Sequence, residues 1–128
     1  MMGKAYKLEH VGIGAGSVET YEKTVRFYEE VFGWHRTREV PGDLAFVSND
    51  AGDCLEIFAS DAPPLVQPHH LAFGVDKAEF DTMAERIRAA GATLEEPFEN
   101  PYGDRIVFFT DPAGNAVQIV GRREPLPR

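Results

Sequence analysis

Two histidines with similar surroundings are the residues of this sequence best suited to chemistry. His10 is followed by Val11-Gly12-Ile13-Gly14, and His70 is followed by Leu71-Ala72-Phe73-Gly74. In both stretches large apolar residues alternate with small ones, the period of two that is typical of a half-buried strand. Because residues i and i+2 of a strand share a face, each imidazole lies on the side left open by glycine or alanine. Imidazole nitrogens in that position could bind a metal or carry a proton.

Glu56 adds a carboxylate to this pattern. It lies in the middle of a predicted strand, residues 54–58, and Gln118 takes the corresponding place in the last predicted strand of the chain. A carboxylate on a core strand is costly without a partner, and a bound metal would account for it. If two curved half-sheets face each other, four side chains can meet. The candidate metal ligands are therefore His10, Glu56, His70 and Gln118.

The elements that must position these residues occur twice in the same order. Each half is predicted to be strand, helix, strand, strand, strand, with the first helix ending at Gly33 and the second near Gly91. The proline-rich residues 61–68 separate the halves and are predicted to be a linker. We therefore expect one domain, residues 1–128, made of a βαβββ module over residues 7–60 and a second over residues 69–121.

Composition excludes several classes of partner. The formal net charge of −8 argues against nucleic acid and anionic membranes, both of which attract basic surfaces, although it is compatible with a cationic small molecule. The single cysteine, Cys54, rules out an internal disulfide. No apolar run approaches the ~20 residues of a membrane helix, and the start of the chain lacks a signal-peptide pattern. These features predict a cytoplasmic protein.

Four segments of the chain resemble the vicinal oxygen chelate superfamily, which includes glyoxalase I, methylmalonyl-CoA epimerase, extradiol dioxygenases, fosfomycin resistance enzymes and bleomycin resistance proteins. The segments are Glu9 to Ile13, Arg26 to Trp34, His70 to Val75 and Asp111 to Asn115. The resemblance extends over residues 7 to 121. It implies an α+β fold in which two βαβββ modules form a cupped, mixed eight-stranded sheet with helices on the outside. It also implies a homodimer in which the sites are shared between subunits.

The same resemblance implies a divalent metal held by residues of the first, fourth, fifth and eighth strands. Carried over to this chain, these are His10, Glu56, His70 and Gln118, and Gln118 departs from the glutamate that is usual in the family. Glutamine can ligate through its amide oxygen, but only weakly, and it cannot act as a general base. Two histidines and one carboxylate with open positions suit iron, manganese, cobalt, nickel or zinc.

A second departure concerns glutathione. Enzymes that resemble bacterial glyoxalase I hold glutathione with an arginine four residues after the first ligand and an asparagine four residues after the fourth-strand glutamate. This chain has Gly14 and Ser60 at those places. Losing a charged clamp on a carboxylate costs on the order of 2 kcal/mol, so we expect a different substrate unless Arg36 or Arg38 replaces the clamp.

We therefore expect a metal-dependent enzyme of the lyase or isomerase type that binds a small substrate through two neighbouring oxygens. Glu56 is the candidate catalytic residue, either moving a proton or acting purely as a ligand. Tyr102 and Arg105, next to a turn that precedes a core strand, are candidate substrate contacts. Two alternatives stay open. One is a metal-free protein of the bleomycin resistance type that binds a cationic ligand between two chains, and the other is a small dioxygenase of the extradiol type.

Overall fold

The computed structural model describes residues 5–126, and these fold as two modules that follow one another along the chain. The first module contains β1 (Val11–Gly14), α1 (Val18–Phe32), β2 (His35–Val40), β3 (Leu44–Ser48) and β4 (Cys54–Phe58). The second contains β5 (Leu71–Asp76), α2 (Phe80–Ala89), β6 (Phe98–Glu99), β7 (Arg105–Thr110) and β8 (Ala116–Arg122). A 3-10 turn, Lys77–Glu79, leads into α2. The α+β class and the repeated βαβββ order predicted from the sequence are confirmed.

The strands form two four-stranded sheets, with the orders β1-β4-β3-β2 and β5-β8-β7-β6. In each sheet the first strand pairs with the last in parallel, which requires a crossover connection, and the module's helix lies in that connection. All other pairs are antiparallel. The eight strands of the predicted mixed sheet thus form two four-stranded half-sheets, and within residues 5–126 no strand ladder joins them.

The two modules meet through side chains. β1 and β5 are edge strands, and residues of both line a groove of about 690 Å³. At this junction the rings of Phe32 and Phe73 stack with their centroids 4.0 Å apart, and Trp34 lies 5.3 Å from Phe73. Because these rings fill the junction, the modules are held together by aromatic packing rather than by a shared ladder.

Helix α1 ends at Gly33, as the sequence predicts. Its N-cap is Ser17, whose hydroxyl accepts a hydrogen bond from the Thr20 backbone N–H at 3.2 Å. Its C-cap is Gly33, which adopts the left-handed conformation that glycine tolerates, with φ at 69°. Tyr21, Val25 and Tyr28 are fully buried, and the ring of Tyr28 stacks on Phe73 of the second module. No helix in the described part of the chain is long and apolar enough to cross a membrane.

Each sheet has one face covered by a helix and one that no helix of residues 5–126 covers, which we call the open face. Strand positions on the covered faces belong to the hydrophobic core: Ala45, Val47, Leu55, Ile57, Val107, Phe109, Val117 and Ile119. Phe46, Glu56, Phe108 and Gln118 alternate with them and therefore lie on the open faces. The strand period thus decides which side chains are available to a ligand.

One predicted strand is misplaced. The sequence predicts a strand from Thr93 to Pro97, but only Leu94 forms an isolated bridge there, to Phe109. The strand β6 begins one residue after Pro97. Proline has no N–H to donate to a ladder, and the pairing breaks at that point.

A buried polar network ties the two modules together. The Tyr28 hydroxyl donates to Asp111 Oδ2 at 2.8 Å, and Asn115 Nδ2 donates to the backbone carbonyl of Gly14 at 2.9 Å. The Leu65 N–H donates to Asn115 Oδ1 at 2.8 Å. Burial raises the pKa of the Asp111 carboxyl and raises that of Tyr28 well above its ordinary value. The turn at 111–115, interpreted from the sequence as turn structure alone, therefore also joins helix α1 and the linker.

Replacing Tyr28 with phenylalanine is expected to lower the free energy of unfolding by about 1–3 kcal/mol. The reason is that Asp111 loses a hydrogen-bond donor inside the protein. Urea unfolding followed by circular dichroism would measure the change. Tyr102→Phe is the matched control, since Tyr102 is 79% exposed; equal stability of the two variants would contradict the network.

Candidate functional site

The first half-site consists of His10, Phe46 and Glu56. His10 directly precedes β1, and its Nε2 lies 3.4 Å from Glu56 Oε1. The register places Glu56 opposite Gly12 on one side and opposite Phe46 on the other. The ring of Phe46 meets the His10 imidazole edge to face, with the centroids 5.5 Å apart. The histidine and the carboxylate predicted from the sequence are therefore neighbours on the open face of the first sheet.

The contacts of His10 determine which of its nitrogens is available. Nδ1 lies 2.9 Å from Glu9 Oε1, so a proton on Nδ1 is held by that carboxylate and the lone pair lies on Nε2. In that tautomer Nε2 and the Glu56 carboxylate face each other as two acceptors, an arrangement that a proton or a cation between them stabilises. The side chains of His10 and Glu56 are 35% and 17% exposed, so an ion can still reach both. This donor pair fits a divalent metal.

The second half-site consists of His70, Phe108 and Gln118. His70 Nδ1 lies 2.8 Å from the Pro68 carbonyl oxygen; a proton on Nδ1 is donated to it, which leaves Nε2 as the free donor atom. Phe108 meets the imidazole edge to face at 5.2 Å, as Phe46 does in the first half-site. Gln118 is 8% exposed, and within residues 5–126 its side chain makes no hydrogen bond to the protein. Its amide atoms are not among the fully enclosed unpaired groups of residues 5–126, so they keep contact with solvent and a ligand could reach them.

The two half-sites correspond residue by residue. Gln118 pairs with Phe108 in the second sheet as Glu56 pairs with Phe46 in the first. Within the described residues of one chain, no three His, Cys, Asp or Glu side chains form a group that could hold a metal. A single chain therefore brings His10 to Glu56 but does not bring His70 to them. The sequence alone does not decide whether these residues meet within one chain or across two, whereas the family resemblance implies sites shared between subunits.

The two predicted substrate contacts lie in different places. Tyr102 is an exposed residue of the turn before β7. The Arg105 guanidinium lies 5.1 Å from the ring centroid of Phe80 and 3.7 Å from Asp81, both on α2. It therefore lies on the covered face of the second sheet, opposite the face of Gln118, and its role as a substrate contact stays a prediction. The reason for this placement is the alternation of side chains along β7, since Arg105 lies two residues before the core residue Val107 and therefore on the same face.

Phe46 and Phe108 are the site residues that sequence reasoning missed. Both belong to strands that read as ordinary alternating apolar segments. Their positions in the alternating pattern of each strand could have identified them. Each lies on the same face of its sheet as a candidate ligand on the neighbouring strand. Their edge contacts restrict the rotation of the imidazoles.

Solved structures share this arrangement of modules. The fosfomycin resistance protein FosX from Listeria monocytogenes, solved as a point mutant with Mn(II) and 1S,2S-dihydroxypropylphosphonic acid, has a TM-score of 0.79 at 21% identity; the match covers 96% of this chain and 94% of that one. Lactoylglutathione lyase from Agrobacterium tumefaciens has a TM-score of 0.72 at 26% identity, over 93% and 96%. The oxidase ChaP-H2 has a TM-score of 0.69 at 27% identity, over 93% and 95%.

The sequence itself also identifies the family. Residues 7–119 match the model of the Glyoxalase/Bleomycin resistance protein/Dioxygenase superfamily. This range contains both half-sites and nearly all of the described chain. The fold and the matched residues agree. This chain is a member of the glyoxalase, bleomycin resistance protein and dioxygenase superfamily.

Proposed function

We propose that this protein is a metal-dependent enzyme of the lyase or isomerase type that acts on a small substrate through two neighbouring oxygens. The observation that carries the proposal is the pair formed by His10 Nε2 and Glu56 Oε1, 3.4 Å apart on an open face. The matching pair on the other sheet, His70 and Gln118, supports it. In both half-sites a hydrogen bond at Nδ1 leaves Nε2 as the donor atom.

The proposed metal ligands are His10, Glu56 and His70, with Gln118 as a weak fourth. A divalent ion bound there supplies Lewis acidity toward the substrate oxygens. Glu56 Oε1 is the atom proposed to accept a proton from the substrate, because a carboxylate can do so and the amide of Gln118 cannot. Phe46 and Phe108 keep the imidazoles in place and limit the access of water from that side.

We propose that the complete site forms between two copies of the chain, the first half-site of one facing the second half-site of the other. Support comes from the separation of the half-sites in one chain and from the unpaired edges of β1 and β5. Two large apolar residues beside the open faces, Val40 and Phe98, are exposed, and a second copy would cover them. A symmetric dimer would contain two equivalent sites.

The substrate is proposed not to be glutathione-linked, although a lactoylglutathione lyase is among the similar structures. The place of the expected arginine is occupied by Gly14, which has no side chain, and the place of the asparagine by Ser60. The backbone carbonyl of Gly14 is already used, since it accepts a hydrogen bond from Asn115. Nothing at these two places can form an ion pair with a glycyl carboxylate. Arg38 lies on β2, at the opposite edge of the sheet from Gly14 on β1, so it does not occupy the place of the missing arginine.

Gln118 favours a second candidate function, a small dioxygenase. Because residue 118 is glutamine rather than glutamate, the charged ligands of the proposed site are reduced to one carboxylate, which acts with two histidines. Non-haem iron(II) oxygenases use this combination of ligands. The similarity to the oxidase ChaP-H2 agrees with this candidate. Consumption of dioxygen distinguishes it from a lyase or isomerase.

Metal analysis combined with a substrate screen tests the proposal. Protein purified without a tag would be analysed for bound metals, then loaded separately with Mn(II), Fe(II), Co(II), Ni(II) and Zn(II) and assayed on dicarbonyl, acyl-thioester and catechol compounds. Metal-dependent turnover without dioxygen uptake supports the lyase or isomerase. Turnover coupled to dioxygen uptake supports the dioxygenase. Binding of a cationic ligand with no affinity for any metal would overturn both in favour of a bleomycin-resistance-type binding protein.

Replacing Gln118 with glutamate is expected to tighten metal binding by about tenfold or more, because a charged oxygen replaces a neutral amide oxygen. Titration with Mn(II) followed by electron paramagnetic resonance would measure the affinity. Thr82→Glu, which adds the same charge at an exposed residue of α2 outside both half-sites, is the control. Equal affinities of Gln118→Glu and wild type would remove Gln118 from the ligand set.

A further inference from the structure

A bulge in β2 places two neighbouring arginines on opposite faces of the first sheet. In an unbroken strand Arg36 and Arg38 would share a face. The register instead pairs Arg36 with Val47 and Arg38 with Phe46, so Thr37 is the extra residue. Val47 belongs to the covered face and Phe46 to the open face. Arg38 is therefore turned toward the same face as Glu56.

The two arginines differ in how their charges are compensated. Arg36 donates to Glu22 and Glu29 of α1 and to Glu39, and its hydrogen bonds to Glu22 contribute most to raising its pKa. Arg38 is exposed, and among residues 5–126 it forms no ion pair. A chain with a net charge of −8 thus leaves an uncompensated cation on the open face.

The strand register fixes the position of Arg38 relative to the proposed metal ligand Glu56. Arg38 lies opposite Phe46, Phe46 opposite Glu56, and Glu56 opposite Gly12, so one row crosses all four strands. Neighbouring strands are about 4.8 Å apart, which puts the backbone of Arg38 about 10 Å from that of Glu56. An extended arginine side chain spans much of that distance, and the remaining gap suits a small molecule with Phe46 beneath it.

We propose that Arg38 binds an anionic oxygen group of the substrate, such as a carboxylate, while the neighbouring oxygens of the same molecule lie at His10 and Glu56. This inference rests on the proposed function. A guanidinium can hold a carboxylate through two parallel hydrogen bonds, which gives both charge and orientation. The bulge at Thr37 is what makes Arg38 a specificity residue, since without it the side chain would point toward α1.

A matched pair of ligands tests the inference. The probes are 3,4-dihydroxybenzoate and 3,4-dihydroxybenzamide, which carry the same two neighbouring oxygens and differ in the charge at the far end. Binding would be measured by calorimetry for the wild type, Arg38→Gln and Arg88→Gln, with Mn(II) and again after treatment with a chelator. Arg88 is an exposed arginine of α2 paired with Glu85, so Arg88→Gln makes the same charge change elsewhere.

We expect Arg38→Gln to weaken binding of the benzoate about tenfold or more and to leave the benzamide unchanged within about twofold. Arg88→Gln should change neither. Equal weakening of both probes by Arg38→Gln, no weakening of either, or the same loss in Arg88→Gln would overturn the inference. If Mn(II) does not bind, the proposed function fails, but the preference for the anionic probe in chelator-treated protein still decides the role of Arg38. Absence of that preference in wild-type protein under both conditions overturns it.

Discussion

Replacing Glu56 with glutamine is expected to weaken binding of Mn(II) by at least about a hundredfold, or about 2.7 kcal/mol, and to abolish any metal-dependent turnover. The substitution keeps the shape of the side chain and removes its charge. Since Gln118 already contributes only a neutral oxygen, Glu56→Gln would leave a site with two imidazoles and no carboxylate. His10→Ala should have an effect of similar size, because it removes the partner atom at 3.4 Å.

Equilibrium dialysis with metal analysis would measure both affinities, and thermal denaturation would verify that the variants are folded. Glu30→Gln is the matched control, because Glu30 is an exposed residue of α1 away from both half-sites. A folded Glu56→Gln variant with wild-type affinity for Mn(II) would exclude Glu56 as a ligand. The proposed function would then have no carboxylate at its site.

Mixing two inactive variants is expected to restore activity. His10→Ala and His70→Ala each destroy every site of their own dimer if each site takes His10 from one copy and His70 from the other. In a mixed dimer one site contains both substitutions and the other contains neither. After equal amounts are unfolded together and refolded, about one quarter of all sites should be intact.

Tight Mn(II) binding and turnover of the mixture would both measure the recovery, with each variant refolded alone as the control. Recovery near one quarter supports a site shared between two chains. No recovery in mixed dimers, verified by differently tagged copies, would mean that the metal ligands do not combine across subunits. A site confined to one chain would in turn require His70 to approach His10, which the described part of one chain does not provide.

The sequence determined the local features of this protein. Period-two and helical spacing placed β1, α1, β4, β5 and β8, because these patterns reflect burial of one face of each element. The same periodicity put His10, His70, Glu56 and Gln118 at matching positions of two repeats. Comparison of the repeats was therefore enough to choose candidate ligands, and the metal-binding experiments test that choice.

Tertiary structure decided how those positions combine. Which face of β7 a helix would cover was not encoded in any single segment, and the packing of Arg105 on Phe80 shows the outcome. The extra residue Thr37 in the bulge of β2 moved Arg38 from the covered face to the open face. A strict alternation of side chains along the strand would not predict this change. The stacking of Phe32 on Phe73 joins the two modules without a shared strand ladder. Strand register and packing between modules depend on contacts distant in sequence, and for that reason the sequence indicated the ligands but not the separation of the half-sites.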